Sequence, residues 1–331
     1  MNAAFSKTIL ITQAQAKEFR RLDHLLEAYF QGEYNRTQLK KMFELGLFSM
    51  EGNIIGPSKK PQKGNQIIFT PPKEDLFRKE ELTAKAQPIP LEVLYQDEDL
   101  ALINKPVGLV THPAPGHPEN TLVNAILHLF GPIQTTIQSF RPGIVHRLDQ
   151  GTSGVMVVAK HAKSQELLIE LFSKHELVRK YQALCMGIPN QKSGKLESII
   201  GRDTNNRQKM KAYNINSLGK GKKALTHFNV ISAKNNFSHL ELTLETGRTH
   251  QIRVHLSQLL GTPILMDPLY SHPARHLIKL PDAASELLKN YPFPLLHACY
   301  LQFIHPIKKI SIEYNLAPPE LFGSIKSILA L

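Results

Sequence analysis

The sequence predicts an α+β protein: a mixed, largely antiparallel sheet domain over 89–331, preceded by a small αα-β domain over 18–72. Three observations lead there. After residue 89, strand-like runs outnumber helical ones and do not alternate with them as a parallel βαβ fold requires. Before residue 72, two segments of helical period are followed by short strand-period runs between turn residues. Between the two, PPKEDLFRKEELTAKAQPIP is charged, flanked by proline and without an apolar face, which reads as a linker over 73–88. The length of 331 residues accommodates two domains. No internal repeat is present.

In the small domain, RRLDHLLEAYF (20–30) sets Leu22, Leu25, Leu26 and Tyr29 at helical spacing. NRTQLKKMFELG (35–46) repeats the pattern, with Leu39, Met42, Phe43 and Leu45 facing inward. Asn35 or Thr37 is a candidate cap, and Gly46 ends the helix. The opposite face carries Arg36, Lys40 and Lys41. LFSMEGNIIGP reads as two short strands around the turn Glu51-Gly52-Asn53, and KKPQKGNQIIFTPP supplies a last strand.

In the large domain, LEVLYQDEDLALINKP gives two strands around an acidic turn. TLVNAILHLF (121–130) and AKSQELLIELFSKH (162–175) read as helices. GVMVVAK (154–160) is a buried strand, and VRKYQALCMG (178–187), ALTHFNVISA and NFSHLELTLETG are further strands. THQIRVHLSQLLG is a helix. GRDTNNRQKMKAYNINSLGKGKK (201–223) reads as a mobile basic hairpin suited to phosphates, or as a plain solvated loop.

Lysine and arginine outnumber aspartate and glutamate by 40 to 28, a net charge of +12. That excess points to a polyanionic partner, nucleic acid first, because each neutralised phosphate releases counterions. A basic soluble enzyme without such a partner is the bland alternative. The two cysteines, Cys185 and Cys299, form no CxxC, which excludes a disulfide scaffold and a cysteine-based zinc site. Both sit in apolar surroundings and suit core packing. No stretch approaches the roughly 18 apolar residues of a membrane span. The N-terminus lacks a signal-peptide pattern, so the expected compartment is the cytoplasm.

The chemistry concentrates in three places. RPGIVHRLDQGTSGVMVVAK (141–160) sets Asp149 after His146 and Arg147, with Thr152 and Ser153 able to bond its carboxylate and Gly151 and Gly154 freeing the backbone. A lone loop aspartate reads equally as an Asx-turn or cap, or as a site supported by the strand behind it. LETGRTHQIRVH (244–255) offers Arg248, His250, Gln251, Arg253 and His255. Its two histidines are five apart, where one helix face needs i,i+4, so no metal site is predicted. An anion-binding turn or a carboxylate partner suits its guanidinium groups. Tyr181, beside Arg179 and Lys180, is either a core tyrosine or a platform for an extruded base. NKPVGLVTHPAP (104–115) adds a Pro/Gly loop with Lys105 and His112. No P-loop, GxGxxG or GxSxG motif is present, so no cofactor is implied.

Together HRLDQGTSG, RKYQAL, TGRTHQIRVH and the NKPVGLVTHP loop resemble the RluA/RluD family of pseudouridine synthases over nearly all of 91–331. LLHACYLQFIHP resembles the family's closing strand. The small domain, with RxDxxL opening its first helix and a basic second helix, resembles the S-four-like RNA-binding domain over about fifty residues. That arrangement is common in the large-subunit rRNA members of the family, and the NKPVGLVTHPAPGHPENTLVNAILH sweep leans to the RluD-like branch. MDPLYS (266–271) departs from the resemblance, which leads to a glycine before the aspartate and another after the tyrosine.

The resemblance implies an isomerase that breaks the N1–C1′ bond of a flipped-out uridine, turns the base and joins C5 to C1′. It implies Asp149 as the nucleophile or base, Arg253 as its pairing arginine, and Tyr181 stacking on the base and assisting at C5. Arg147 fills the gap that the base leaves. Arg248, His250 and Lys105 order the loops or touch phosphate, and Ile264 and Leu265 form an apolar wall beneath the base. Arg36, Lys40 and Lys41 bind RNA. The expected partner is structured RNA, large-subunit rRNA or a pre-ribosomal subunit first, with neither membrane nor cofactor and the enzyme a monomer. The alternatives are a synthase acting on tRNA and a catalytically silent RNA-binding ribosome-assembly factor.

Overall fold

The computed structural model describes residues 6–30, 34, 36–71, 84–113, 118–133, 141–217 and 219–331; nothing is described of the Arg36 and Thr37 side chains. The chain divides into two compact units at residue 81.

The first unit holds β1 (Lys7–Leu10), α1 (Gln13–Glu18), α2 (Leu22–Tyr29), α3 (Arg36–Glu44), β2 (Phe48–Met50), β3 (Asn53–Ile54) and β4 (Gln66–Phe69). The strands pair antiparallel in the order β1-β4-β2-β3. Leu22, Leu25 and Leu26 of α2 and Leu39, Met42 and Phe43 of α3 close over Phe48 and Phe69. At the start of α2, Arg21 grips Asp23 through two bonds of 2.9 Å. Leu45 does not join this core; it is 45% exposed. The helix ends at Glu44, and Gly46 at φ +71° turns the chain out of helical phase. Its amide bonds the Phe43 carbonyl and the Leu47 amide bonds the Met42 carbonyl, which satisfies the helix's last acceptors. Strand β1 lies ahead of the boundary at 18. The candidate cap Asn35 falls outside the described residues, and Thr37 lies inside α3 rather than ahead of it.

The second unit is built on a sheet of ten strands among the described residues. They are β5 (Glu92–Gln96), β6 (Leu100–Lys105), β7 (Ser153–Ala159), β8 (Leu177–Met186), β9 (Ser193–Arg202), β10 (Met210–Tyr213), β11 (Lys222–Lys234), β12 (Phe237–Leu244), β13 (Leu296–Ile304) and β14 (Ser311–Asn315). The order is β10-β9-β11-β12-β8-β13-β7-β6-β5, with β14 also on β13. The pairs are antiparallel except β13 with β7, whose parallel contact is His297 with Ser153 and Ala298 with Gly154. The mixed, largely antiparallel sheet expected from the sequence is what the structure shows.

Strand β7 reads as an unbroken apolar run because both its faces are covered. Met156 and Val158 join one core with Leu122, Val123 and Ile126 of α4 (Leu122–Phe130). Val155 and Val157 join another with Leu168 and Leu171 of α5 (Ala162–Ser173). The described end of the expected linker is bonded to this unit: the Gln87 amide bonds the Asn124 carbonyl, and Asn124 Nδ2 bonds the Lys85 carbonyl at 2.7 Å. Residues 72–83 lie outside the description. Part of the basic stretch 201–223 is ordered strand, since β10 pairs along β9. The helix expected at THQIRVHLSQLLG is α6 (Gln251–Val254) running into a π-helical turn at His255–Leu259. After it come α7 (Pro273–Lys279), α8 (Asp282–Leu288) and α9 (Glu320–Ile328).

Candidate active site

Asp149 stands on the loop that feeds β7, and the loop is fixed through its backbone. The Leu148 carbonyl accepts from Thr111 Oγ1 at 2.9 Å, and the Gln150 carbonyl accepts from the Gly108 amide at 2.8 Å. The Asp149 carbonyl accepts from the Thr152 amide at 3.0 Å. Beneath lies Lys105, wholly buried, whose Nζ donates to the carbonyls of Pro106 and Leu109 at 2.9 Å and of Gln150 at 3.4 Å. Burial pulls its pKa down to about 7, against the raising field of Asp149. His146 Nε2 accepts from the Val157 amide at 3.1 Å, and its ring stacks on Phe172 at 4.4 Å. Burial, with Arg179 adding to it, takes His146 down to about 3, so it braces the loop as a neutral ring. The side chains of Thr152 and Ser153 do not bond the Asp149 carboxylate as expected. Ser153 Oγ turns instead to His297 Nδ1 at 2.9 Å, the residue paired with it across the parallel contact of β7 and β13.

The carboxylate meets Arg253. Nη1 lies 3.3 Å from Asp149 Oδ2, while Nε and Nη2 fork onto Asp267 at 2.7 and 2.8 Å. Asp267 is itself fixed by the amides of Leu269 and Tyr270 on Oδ1. Burial opposes the charge on Arg253, but the Asp267 pair and the Asp149 field outweigh it and hold the guanidinium above its ordinary value. The geometry is a clamp: a planar fork immobilised on one carboxylate presents its remaining edge to another.

His250, in the left-handed conformation at φ +57°, approaches the same carboxylate, with Nε2 4.0 Å from Asp149 Oδ2. Its Nδ1 lies 2.7 Å from Tyr270 Oη, which also accepts from the Met210 amide. Burial lifts the Tyr270 phenol to about 12 and lowers His250 below its ordinary value. The hydrogen bond between Tyr270 Oη and Nδ1 fixes the ring with Nε2 facing Asp149.

A cavity of about 460 Å³ opens over these groups. Asp149, Arg253, Tyr181, Arg147, Arg248 and His250 all line it. Tyr181, on β8, is 6% exposed, and burial raises its pKa. Arg147 is exposed at the rim. Arg248 is tied down, its amide to Gln251 Oε1 and its Nε to the Lys223 carbonyl, both at 3.0 Å. Lys105, Ile264 and Leu265 do not line the cavity. Lys105 spends its ammonium on carbonyls, Ile264 packs in the core behind Tyr181, and Leu265 packs in a separate core with Leu184 and Leu295. None has surface to offer a substrate, which corrects the contact expected of them. Lys105 Nζ joins the Pro106 and Leu109 carbonyls to that of Gln150. In the first unit, Lys40 and Lys41 are exposed on α3.

Asp97, Asp99 and His305 also cluster. His305 Nδ1 accepts from the Ile307 and Lys308 amides, so Nε2 carries the proton and donates to Asp97 at 3.0 Å. A metal would find no lone pair on that nitrogen.

The family model described as RNA pseudouridylate synthase matches residues 99–258, the segment that carries Asp149, Tyr181 and Arg253. A ribosomal large subunit pseudouridine synthase D of Yersinia pestis is 35% identical over 309 residues, 93% of this chain and 90% of the relative. The chain belongs to the RluA/RluD family of RNA pseudouridine synthases. An uncharacterised RNA pseudouridine synthase of Bacillus subtilis is likewise 35% identical, over 94% of each chain. Among solved structures, human RNA Pseudouridylate Synthase Domain Containing 4 superposes with a TM-score of 0.56 at 26% identity, covering 72% of this chain and 93% of that one.

This pseudouridine synthase therefore uses more of its sequence at the site than the motifs announced. Asp267 and Tyr270 were visible only as a departure in MDPLYS, with no role attached. No carboxylate stands near Arg253 in sequence, and folding brings two from 104 and 14 residues away. Arg179 lines the cavity as well. The signal for it was strand alternation: two residues before Tyr181, it leaves the same face of β8. Lys180 leaves the other face, to Glu241.

Proposed function

We propose that this enzyme converts specific uridines of large-subunit ribosomal RNA to pseudouridine, with Asp149 acting at the sugar of a flipped-out uridine. The single observation that carries the reading is the Arg253 clamp, which turns the Asp149 carboxylate into a cavity shared with Tyr181. Chemistry at C1′ calls for a carboxylate beside a cation-like carbon, as in glycoside cleavage. Asp149 serves there as nucleophile or base, Arg253 fixes its direction, and Tyr181 receives the base and assists at C5. Bond changes balance within the substrate: N1–C1′ breaks, C5–C1′ forms, and the C5 proton is exchanged for one on N1. Neither oxidant nor group donor is required, so the reaction needs no cofactor. Arg147 at the rim is suited to filling the space that the base leaves, at an unstacking cost of a few kcal/mol. Arg248 and His250 order the loops around the carboxylate.

The net charge of +12 supports an RNA substrate. The names of the Yersinia pestis relative and its Escherichia coli counterpart, 35% identical over 302 residues, support the large ribosomal subunit. Arg36, Lys40 and Lys41 of the first unit are read as further RNA contacts. We place the enzyme in the cytoplasm as a monomer, with the RNA supplying its partner surface. Among the described residues, no helix is long and apolar enough to cross a membrane.

A pseudouridine map of total RNA, read by carbodiimide-blocked reverse transcription with and without the gene, tests this. Loss of particular large-subunit rRNA stops, restored by the wild-type gene, is expected. Loss confined to tRNA would move the substrate, and an unchanged map would leave a binding or assembly role.

A further inference from the structure

Arg179 is 9% exposed and lines the cavity, yet its guanidinium has no carboxylate partner among the described residues. Its Nε is enclosed and bonds nothing. Its guanidinium lies over the face of Phe172, 5.5 Å from Cζ to the ring centroid. Gly247 borders it on another side, where an added Cβ would meet Nη1 at 3.0 Å. Arg179 and Tyr181 leave the same face of β8, two residues apart, and line one cavity with Asp149.

An arginine does not shed its proton, so this is a standing buried charge. Leaving such a charge unpaired is unfavourable unless a ligand completes it. The cavity walls near it supply Arg147 and Arg248, which exclude a cationic ligand and favour an anion. A planar fork with free Nη groups suits a tetrahedral phosphate oxygen pair.

We propose that Arg179 is a phosphate-binding residue, holding a non-bridging oxygen of the phosphodiester next to the nucleotide whose base lies at Tyr181. The proposal rests on the reading that this cavity receives an RNA nucleotide. It assigns Arg179 to substrate grip and leaves the bond changes to Asp149.

The test compares the full-length wild type with Arg179→Gln and Arg179→Lys, using an in vitro transcript of large-subunit rRNA as the probe. Three quantities are read: melting temperature without RNA, transcript affinity across a salt series, and pseudouridine yield. Arg179→Gln is expected to melt no lower than wild type, because an unpaired buried charge is gone. Its affinity is expected to fall about ten- to hundredfold, as loss of a charge-assisted bond implies. Its slope of log affinity against log salt is expected to flatten by about 0.7 to 0.9. Arg179→Lys is expected to regain the slope with only part of the affinity.

A glutamine variant that melts lower while affinity and slope stay at wild type would overturn the proposal in favour of a packing role. Weaker binding with an unchanged slope would overturn it too, by pointing to an uncharged base carbonyl. If the glutamine variant loses both melting temperature and affinity, a slope restored by lysine supports the proposal and an unrestored slope overturns it. Should wild type make pseudouridine while Arg179→Gln loses nothing, this inference alone fails. A phosphate signature without any pseudouridine would instead sink the functional reading and keep the contact.

Discussion

Asp149 reaches the cavity on a loop anchored by its backbone carbonyls, which leaves both carboxylate oxygens free for Arg253 and for a substrate. Arg253 is therefore a positioning group with demands on shape. A lysine keeps the charge but offers a point ammonium where three N–H contacts in one plane now reach two carboxylates. Arg253→Lys is expected to lower kcat by about 100-fold, the scale of a 1 Å misplacement, with KM little changed. Steady-state rates on a large-subunit transcript check this; a kcat near wild type would show that the fork is dispensable. Met266 shows the same economy of placement. It holds φ +63° while its side chain is 3% exposed in a core with Leu265 and Leu295. The family resemblance leads to a glycine here, and a left-handed methionine is strained by about 1–2 kcal/mol. Burying the thioether, which contributes about 1.5–3 kcal/mol, offsets that strain.

Among the elements, the short parallel contact of β13 with β7 sets where the Asp149 loop ends. Gly154 is the residue that permits it: at φ +125° an added Cβ would lie 2.2 Å from the Ala298 carbonyl oxygen. Gly154→Ala is expected to destabilise by more than about 4 kcal/mol, the exceptional range for a point change. Gly323→Ala in α9 meets nothing within 4 Å and is expected to stabilise by roughly 0.5–1 kcal/mol. Denaturant titrations of the pair decide the point, and equal midpoints would refute it. Strand β8 and helices α4 and α5 were legible from their apolar spacing, and β7 as an unbroken apolar run following a Gly/Thr/Ser turn. Leu45 was misplaced because the same period was carried one residue past the helix end. Strand β1 was missed because four residues with a single buried side chain carry almost no periodic signal. Asp149, Tyr181 and Arg253 were legible as motifs. Asp267 as their clamp was not, since its pairing depends on a tertiary contact that no local spacing encodes.

At the scale of the whole second unit, several histidines are held neutral by burial. His255 bonds Ser198 and Thr226 and is lowered to about 4, His297 bonds Ser153 and is lowered to about 4, and His146 is lowered to about 3. The unfolded chain takes up these protons below its ordinary value of about 6.5, while the folded chain refuses them. Stability is thus complete above that value and falls as pH drops toward 4, by up to about 1.4 kcal/mol per pH unit for each histidine. Urea midpoints measured from pH 7.5 to 5 are expected to hold level down to about pH 6.5 and to decline below it. A flat profile across that window would show that the histidines are not buried neutral.

The most direct test of the central claim is pseudouridine formation by purified Asp149→Asn on a large-subunit transcript that the wild type modifies. The substitution keeps the side chain's size and can still meet Arg253, so the account predicts unchanged RNA binding and no pseudouridine. Conversion at the wild-type rate would contradict it and place the chemistry on another group.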